Sequence, residues 1–364
     1  MKLTRRIIII VFVGIYNGLY AQDSTRNVII DVKVSYGSVL PHYSFMNYLI
    51  TEAQKSFEIQ TRTHTNTKHL SSYLYRFPTY GVGYNYTSLG NPNKLGGASI
   101  LFGVLDIPII ETPLFSWFYQ CNLGFAYLHK PLEKSIHNIA MSSFFNFFIG
   151  FDMYAQYQIS TNHVIRTGID ISHLSNGKIK TPNLGFNSVA LSLSYIHNFG
   201  MPCENRVCYN SRTLPSHSTF SYIVSGGLKS DEYLSPERFL TSSSVIEYQK
   251  IFRYKYGLCL GADVFYDSSK PHTAKFTHML NGGIHTGVEV YFIPWGFTMQ
   301  TGLYVIQKPS EYTQFYRVAI RYYGLQSYIL QFGLKTHNTT ADFLEIGVGY
   351  RFPNIRTYAA RIQQ

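Results

Sequence analysis

The sequence predicts an all-β protein, a transmembrane antiparallel β-barrel with about eight strands in each half of the chain. Three observations carry this. Hydrophobic residues make up 45% of the 364 residues and charged residues only 14%, a low charge content for a soluble chain of this size. Beyond residue 21, however, no stretch has the length and purity of a membrane-spanning helix. Instead the chain alternates segments of roughly ten residues, the length of a tilted membrane strand, with turn-rich breaks. A cylinder facing lipid outside and polar groups inside reconciles an apolar composition with the absence of long apolar runs.

The first element is an export signal. Lys2, Arg5 and Arg6 precede an apolar run from Ile7 to Tyr16, and Leu19-Tyr20-Ala21 offers a small residue before Gln22. A positive n-region, a short h-region and a small residue at the cut describe a cleaved signal peptide over residues 1–21. The expected destination is the outer membrane.

In the first half, strand-like runs cover Asn27–Val39, Thr79–Ser88, Ala98–Leu105, Trp117–Leu128, Asn146–Ile159, His163–His173 and Asn187–Phe199. Tyr43–Ser56 reads as a short helix or loop before the second strand. Gly90-Asn91-Pro92-Asn93 and Ser175-Asn176-Gly177 carry turn chemistry. Residues 22–200 form one barrel-like half, 201–217 a linker with Pro202 and Pro215, 218–352 a second half and 353–364 a tail. Runs in the second half are Thr219–Leu228, Ser243–Ile251, Tyr256–Phe265, Gly282–Phe292, Phe297–Ile306, Phe315–Tyr323, Ser327–Lys335 and Phe343–Phe352. Both halves close on an aromatic, Phe199 and Phe352, a weak sign of internal duplication. Two small barrels in tandem and one barrel of roughly sixteen strands both satisfy the pattern.

The net charge is +11; without Lys2, Arg5 and Arg6 it is +8, from 28 bases against 20 acids. The bases are scattered, with no arm or stripe, so nucleic acid is not an expected partner. In an exported chain, anionic lipid or a polyanionic glycolipid is. Cys203 and Cys208 bracket a short polar loop, where an oxidising compartment favours a local disulfide. Cys121 and Cys259 lie in strand runs and read as small apolar residues. No His/Cys grouping has zinc spacing, and no cofactor is expected.

Alternation assigns faces. In His163–His173 the charges Arg166 and Asp170 fall on even positions with Val164, Gly168 and Ser172, whereas Ile165, Thr167, Ile169, Ile171 and His173 are odd. The odd face therefore meets lipid, and Ser175 continues it. On the following strand Asn187, Val189, Leu191, Leu193 and Tyr195 share the outward face, with Ser188, Ala190, Ser192 and Ser194 inward. His173, Ser175 and Asn187 thus converge on the lipid side of one hairpin, near its closed end. Polar groups on that face cost least near the membrane interface. Such a pair suits work on a molecule that arrives from the membrane.

Ester hydrolysis needs a nucleophile, a base, a group to orient the base and donors for the oxyanion. Ser175 fits the first role, His173 the second and Asn187 the third. Asn176 and Asn183 offer amide donors, and Gly177 and Gly185 allow close backbone approach. A His-x-Ser-Asn string beside a turn is, alone, more often an ordinary strand end. What raises it here is the added Pro182-Asn183-x-Gly185, together with the outward parity.

The segment from His173 through Ser175-Asn176-Gly177 and Pro182-Asn183-Leu-Gly185 to Asn187 resembles the signature of the lipid A 3-O-deacylase (PagL) family. Asn138-Ile-Ala-Met-Ser142 and Leu193-Ser-Tyr195 through Phe199 add to the resemblance. It implies an eight-stranded outer-membrane barrel whose Ser-His-acid site faces lipid, acting on lipid A of lipopolysaccharide without a metal. His173 then matches the base, Ser175 the nucleophile, and Asn176 and Asn183 the asparagines around the site. The family pattern has glutamate where this chain has Asn187. An asparagine carbonyl can hold the histidine tautomer but cannot neutralise an imidazolium. Asp170, the nearest carboxylate in sequence, lies on the inner face.

The second half resembles the extended halves of some relatives, through Lys335-Thr-His337 and Asp342-Phe-Leu-Glu345. Parity turns Lys335, His337, Glu345 and Arg351 inward as a polar cluster, so no duplicated hydrolase site is expected there. The competing reading is a non-catalytic barrel, a pore or structural protein, which the missing acid at position 187 favours.

Overall fold

In the computed structural model the chain forms two closed eight-stranded antiparallel barrels, each wound in sequence order. The structure describes residues 28–41, 43–65, 70–199, 214–230, 237–269, 276–306, 312–338 and 340–352. The expected signal peptide, the Cys203/Cys208 pair and the tail after 352 lie outside the described residues.

The first barrel comprises β1 (Val28–Leu40), β2 (Gln54–His64), β3 (Thr79–Asn91), β4 (Gly96–Glu111), β5 (Phe115–Leu128), β6 (Phe145–Gln158), β7 (His163–Ser175) and β8 (Phe186–Phe199). It closes by pairing β1 with β8, from Val28 opposite Phe199 to Leu40 opposite Asn187. The second comprises β9 (His217–Lys229), β10 (Phe239–Phe252), β11 (Tyr256–Asp267), β12 (Leu280–Phe292), β13 (Trp295–Ile306), β14 (Gln314–Leu325), β15 (Tyr328–His337) and β16 (Thr340–Arg351).

Every run named from the sequence coincides with a strand, four of them (27–39, 146–159, 327–335 and 343–352) reaching one residue past its bounds and the others lying inside it. The strand that composition hides is β2. Its inward residues Gln54, Glu58, Gln60 and Arg62 are buried, while its outward side carries only Phe57 and Ile59 as apolar residues among Lys55, Thr61 and Thr63. Tyr43–Ser56 resolves into a 3-10 turn at Ser44–Leu49 followed by the start of β2.

The lumens are filled with paired charge. In the first barrel Lys33 meets Glu58 at 2.9 Å and Asp170 at 3.2 Å, and Arg62 holds Asp31 at 2.7 Å while also bonding Asp106, which Arg166 reaches at 2.9 Å. In the second, Arg317 bridges Asp263 and Glu345 at 2.8 and 2.7 Å, and Arg321 bridges Glu247 and Glu289 at 2.7 and 3.1 Å. Burying charge is tolerable only when each group finds an opposite partner. Here the outer faces are apolar, so the polar residues can only turn inward.

The expected inward polar residues of the second half do face the lumen. Lys335 and His337 lie 3.4 Å apart, with Lys335 bonding Asp342 at 2.6 Å and His337 bonding Tyr304 at 2.8 Å, while Glu345 joins Arg317 and Arg351 lies over the Tyr323 ring. Cys121 is exposed on β5. Cys259 does not behave as an apolar residue: it is buried in the lumen, 3.9 Å from Gln300 Nε2.

Loop lengths orient the pair. In the second barrel one end carries only the tight connections 253–255, 293–294 and 326–327, whereas the other carries 230–238, 268–279 and 307–313 beside the short 338–339. Short turns mark the periplasmic side and longer loops the external side. The long end of the first barrel holds connections 41–53, 129–144 and 176–185. The barrels stand side by side with like ends together. At the external end the Ser230 N–H donates to Lys178 O at 3.0 Å. At the periplasmic end α1 (Leu70–Leu74) and Tyr75 reach across, where the Tyr75 hydroxyl donates to Tyr291 O at 2.7 Å. There Leu74, Tyr75, Ile107 and Leu214 pack with Tyr254 and Phe292.

Candidate active site

The site is built on the β7–β8 hairpin, and its orientation is fixed from inside. Leu174 and Phe186 belong to an apolar plug with Val39, Met46, Leu49, Leu89, Phe102, Met141 and Phe148. With those two anchored inward, strand alternation turns His173, Ser175 and Asn187 outward. Lumenal contacts on the even positions agree: Ser172 bonds Ser188 at 2.7 Å, and Asp170 accepts from Ser35 and Ser192, both at 2.8 Å. Asp170 therefore stays with the inner network, as parity required.

Asn187 pairs directly opposite His173 in the ladder. The Nδ1–H of His173 donates to Asn187 Oδ1 at 2.6 Å. With its proton on Nδ1, the imidazole carries its lone pair on Nε2, the tautomer a general base needs. Gly185 (φ +74°) makes room for that edge, since a β-carbon there would stand 2.8 Å from His173 Cε1 and 3.6 Å from Nε2.

Ser175 ends β7 two residues on, opposite Phe147 of β6. It is only 9% exposed, whereas the outward Ile165, Ile169 and Ile171 of the same strand are 41–53% exposed. The nucleophile candidate thus sits in a covered place on the outer wall.

Asn176 is brought to the site but holds the turn with its amide. Its Nδ2 donates to Ser143 Oγ and Lys180 O, both at 2.8 Å, and its backbone N–H donates to Asn183 Oδ1 at 3.0 Å. Both amide hydrogens are spent inside the loop. Asn183 accepts the Asn176 N–H on its carbonyl, so its Nδ2 faces away from that bond. Gly177 adopts φ +63° at the turn that follows.

The 129–144 loop braces the hairpin from β5–β6. Leu184 N–H donates to Ala140 O at 2.8 Å, Ser142 N–H to Pro182 O at 3.0 Å, and Met141 bridges to Asn183. Asn138 shapes this loop by accepting the Ala140 and Met141 N–H groups on Oδ1. Sequence reading gave Asn138 and Ser142 no role. Their contribution depends on packing between two loops some forty residues apart, which no local pattern signals. Lys180 forms an ion pair with Glu133 of the same brace.

One cluster elsewhere has metal-ligand types. Glu247, Cys259 and His285 converge in the second lumen. Glu247 is already held by Arg321, and His285 donates to Asp263 on its other nitrogen, so the three serve the charge network.

A model of the lipid A 3-O-deacylase (PagL) family matches residues 55–196, and a model of the acyloxyacyl hydrolase C-terminal domain matches residues 218–354. The chain belongs to the PagL family. The first match takes in the whole β7–β8 hairpin up to Ile196, and the second takes in the second barrel. The crystal structure of the outer membrane enzyme PagL is 16% identical, covering 45% of this chain and 97% of that one at a TM-score of 0.32. Omp33 of Acinetobacter baumannii is 8% identical, covering 90% and 99% at a TM-score of 0.18. Such distant superpositions carry no residue roles. No curated protein matches the chain. Both matching models describe hydrolases, and the two closed barrels are those of an outer-membrane protein of this family.

Proposed function

We propose that the protein removes an ester-linked acyl chain from lipid A, at the 3-O position for which the family is named, using Ser175, His173 and Asn187. The observation that carries this is the 2.6 Å bond from His173 to Asn187 on the lipid-facing side, beside a serine of the same face.

Ser175 Oγ attacks the ester carbonyl carbon while its proton passes to His173 Nε2. Asn187 Oδ1 holds the imidazole by its Nδ1–H throughout. The tetrahedral oxyanion takes hydrogen bonds from Asn183 Nδ2 and the Gly177 N–H, two donors of the turn that follows Ser175. The protonated His173 gives its proton to the departing sugar oxygen, leaving an acyl-serine. Water, deprotonated by His173, then releases the fatty acid and restores Ser175. No cofactor enters.

The external end of the barrel matches this substrate, because lipid A occupies the outer leaflet and its esters lie near the interface. The neutral Asn187 favours a second reading, a barrel without hydrolase activity. Mass spectra of lipid A from cells expressing wild type and Ser175→Ala decide between them. Loss of one acyl chain with wild type alone supports the deacylase; identical spectra leave a non-catalytic barrel.

A further inference from the structure

The second barrel meets the first at the level of Ser175. Phe147, opposite Ser175 in the ladder, has its ring centroid 5.4 Å from that of Phe332 on β15. A β-carbon on Gly177 would lie 2.4 Å from Leu344 Cδ1 on β16. Leu344 pairs with Leu334 in register, so Phe332, Leu334 and Leu344 form one outward apolar patch. All three are half-buried, while Leu330 and Ile346, next on the same outward faces, are 42% and 71% exposed. On the first barrel Ile149, opposite His173, is 46% exposed.

The barrels therefore touch beside Ser175 and part again on the side towards the membrane centre. Below the Phe147–Phe332 contact, the exposed Ile149 and Ile346 would flank an apolar slot between the barrels, closed at its upper end by the two phenyl rings. Its upper end lies at Ser175, and it opens to lipid.

We propose that this slot holds the acyl chain being removed, and that the second barrel selects chain length through Phe332 and Ile346. The proposal rests on the deacylase reading of Ser175. The occupant follows from the slot's chemistry. Its walls are wholly apolar, it lies within the bilayer, and it begins where an ester must sit for Ser175 to attack. An ester docked there would direct its hydrocarbon tail into the slot and its sugar and phosphates outward, towards the external loops. An isolated first barrel would offer lipid on that flank in place of Phe332 and Ile346, and would sense length weakly.

The test uses the full-length protein in mixed micelles with lipid A species that differ only in the length of the 3-O-acyl chain. Each methylene gripped by the slot is worth roughly fourfold in relative kcat/KM. The double variant Phe332→Ala/Ile346→Ala is expected to flatten the length profile about tenfold or more across four carbons. Ile284→Ala, on the outer face of β12 across the second barrel, should retain the wild-type profile. A profile unchanged in the double variant overturns the proposal.

A second arm does not need turnover. Ser175→Ala protein is irradiated with lipid A bearing a diazirine along its 3-O-acyl chain, and crosslinks are mapped. Crosslinks concentrated at Phe332, Ile346 and Phe147 support the slot even if wild type proves inactive, in which case the deacylase reading alone falls. Crosslinks spread evenly around both barrels overturn the slot.

Discussion

Replacing Gly185 with alanine tests the site geometry without touching any group that does chemistry. The added β-carbon would stand 2.8 Å from His173 Cε1, about 0.6 Å inside ordinary contact. The backbone cannot easily retreat, because φ at Gly185 is +74° and a β-carbon in that region costs about 1–2 kcal/mol by itself. His173 must then yield, and it is tethered through Nδ1 to Asn187 at 2.6 Å. Moving the ring by a large fraction of an ångström while its tether holds shifts Nε2 from its present position. Misplacement on this scale costs on the order of 100-fold in rate. The strands should still close, since the loss in stability is small beside that of a whole barrel. Deacylation is followed by mass spectrometry of lipid A in micelles, and folding by heat-modifiable mobility on gels. Folded Gly185→Ala protein with wild-type turnover would refute the placement of His173 as base.

Three further outcomes follow from the same geometry. Asn187→Ala, which deletes the acceptor for His173 Nδ1–H, should lower kcat by about 100-fold or more with KM little changed. Asn187→Asp turns that bond into a charge-assisted one, about twice as strong, and should raise kcat roughly fivefold; a loss equal to that of alanine would mean Asn187 does not orient the base. Asp170→Asn, inside the barrel with Ser35, Ser192 and Lys33, should leave turnover within about threefold of wild type while costing about 1–2 kcal/mol of stability. Collapse of turnover in folded Asp170→Asn protein would identify it as the missing acid.

Much of the fold was legible because a membrane barrel writes its two faces into alternate residues. On β7 the charges Arg166 and Asp170 fixed one face, and Ser175 and His173 then had to lie on the other. The same rule separated Lys335 and His337 from Leu334 and Phe332. It failed for β2, whose charged lumenal face and thin apolar face resemble a soluble loop. It also could not say what the outward residues touch. Phe332 and Leu344 carry the same signature as Ile346 or Leu330, which face lipid, although they pack against the first barrel. One closed cylinder or two was likewise undecided, since pairing β8 with β1 instead of β9 leaves every strand's alternation unchanged. Within the site, residue type suggested oxyanion donation for Asn176, but its amide is spent on Ser143 and Lys180. A side chain's available donors depend on the loop around it, and that loop is braced from residues 138–142.

The most direct measurement is covalent trapping of the nucleophile. Purified protein in detergent is treated with a long-chain alkyl fluorophosphonate, which loses fluoride to an activated serine oxygen, and the adduct is located by peptide mass spectrometry. The account predicts stoichiometric labelling at Ser175 in wild type, and its loss in folded His173→Ala protein. Labelling of another serine, or of Ser175 equally with and without His173, would contradict it.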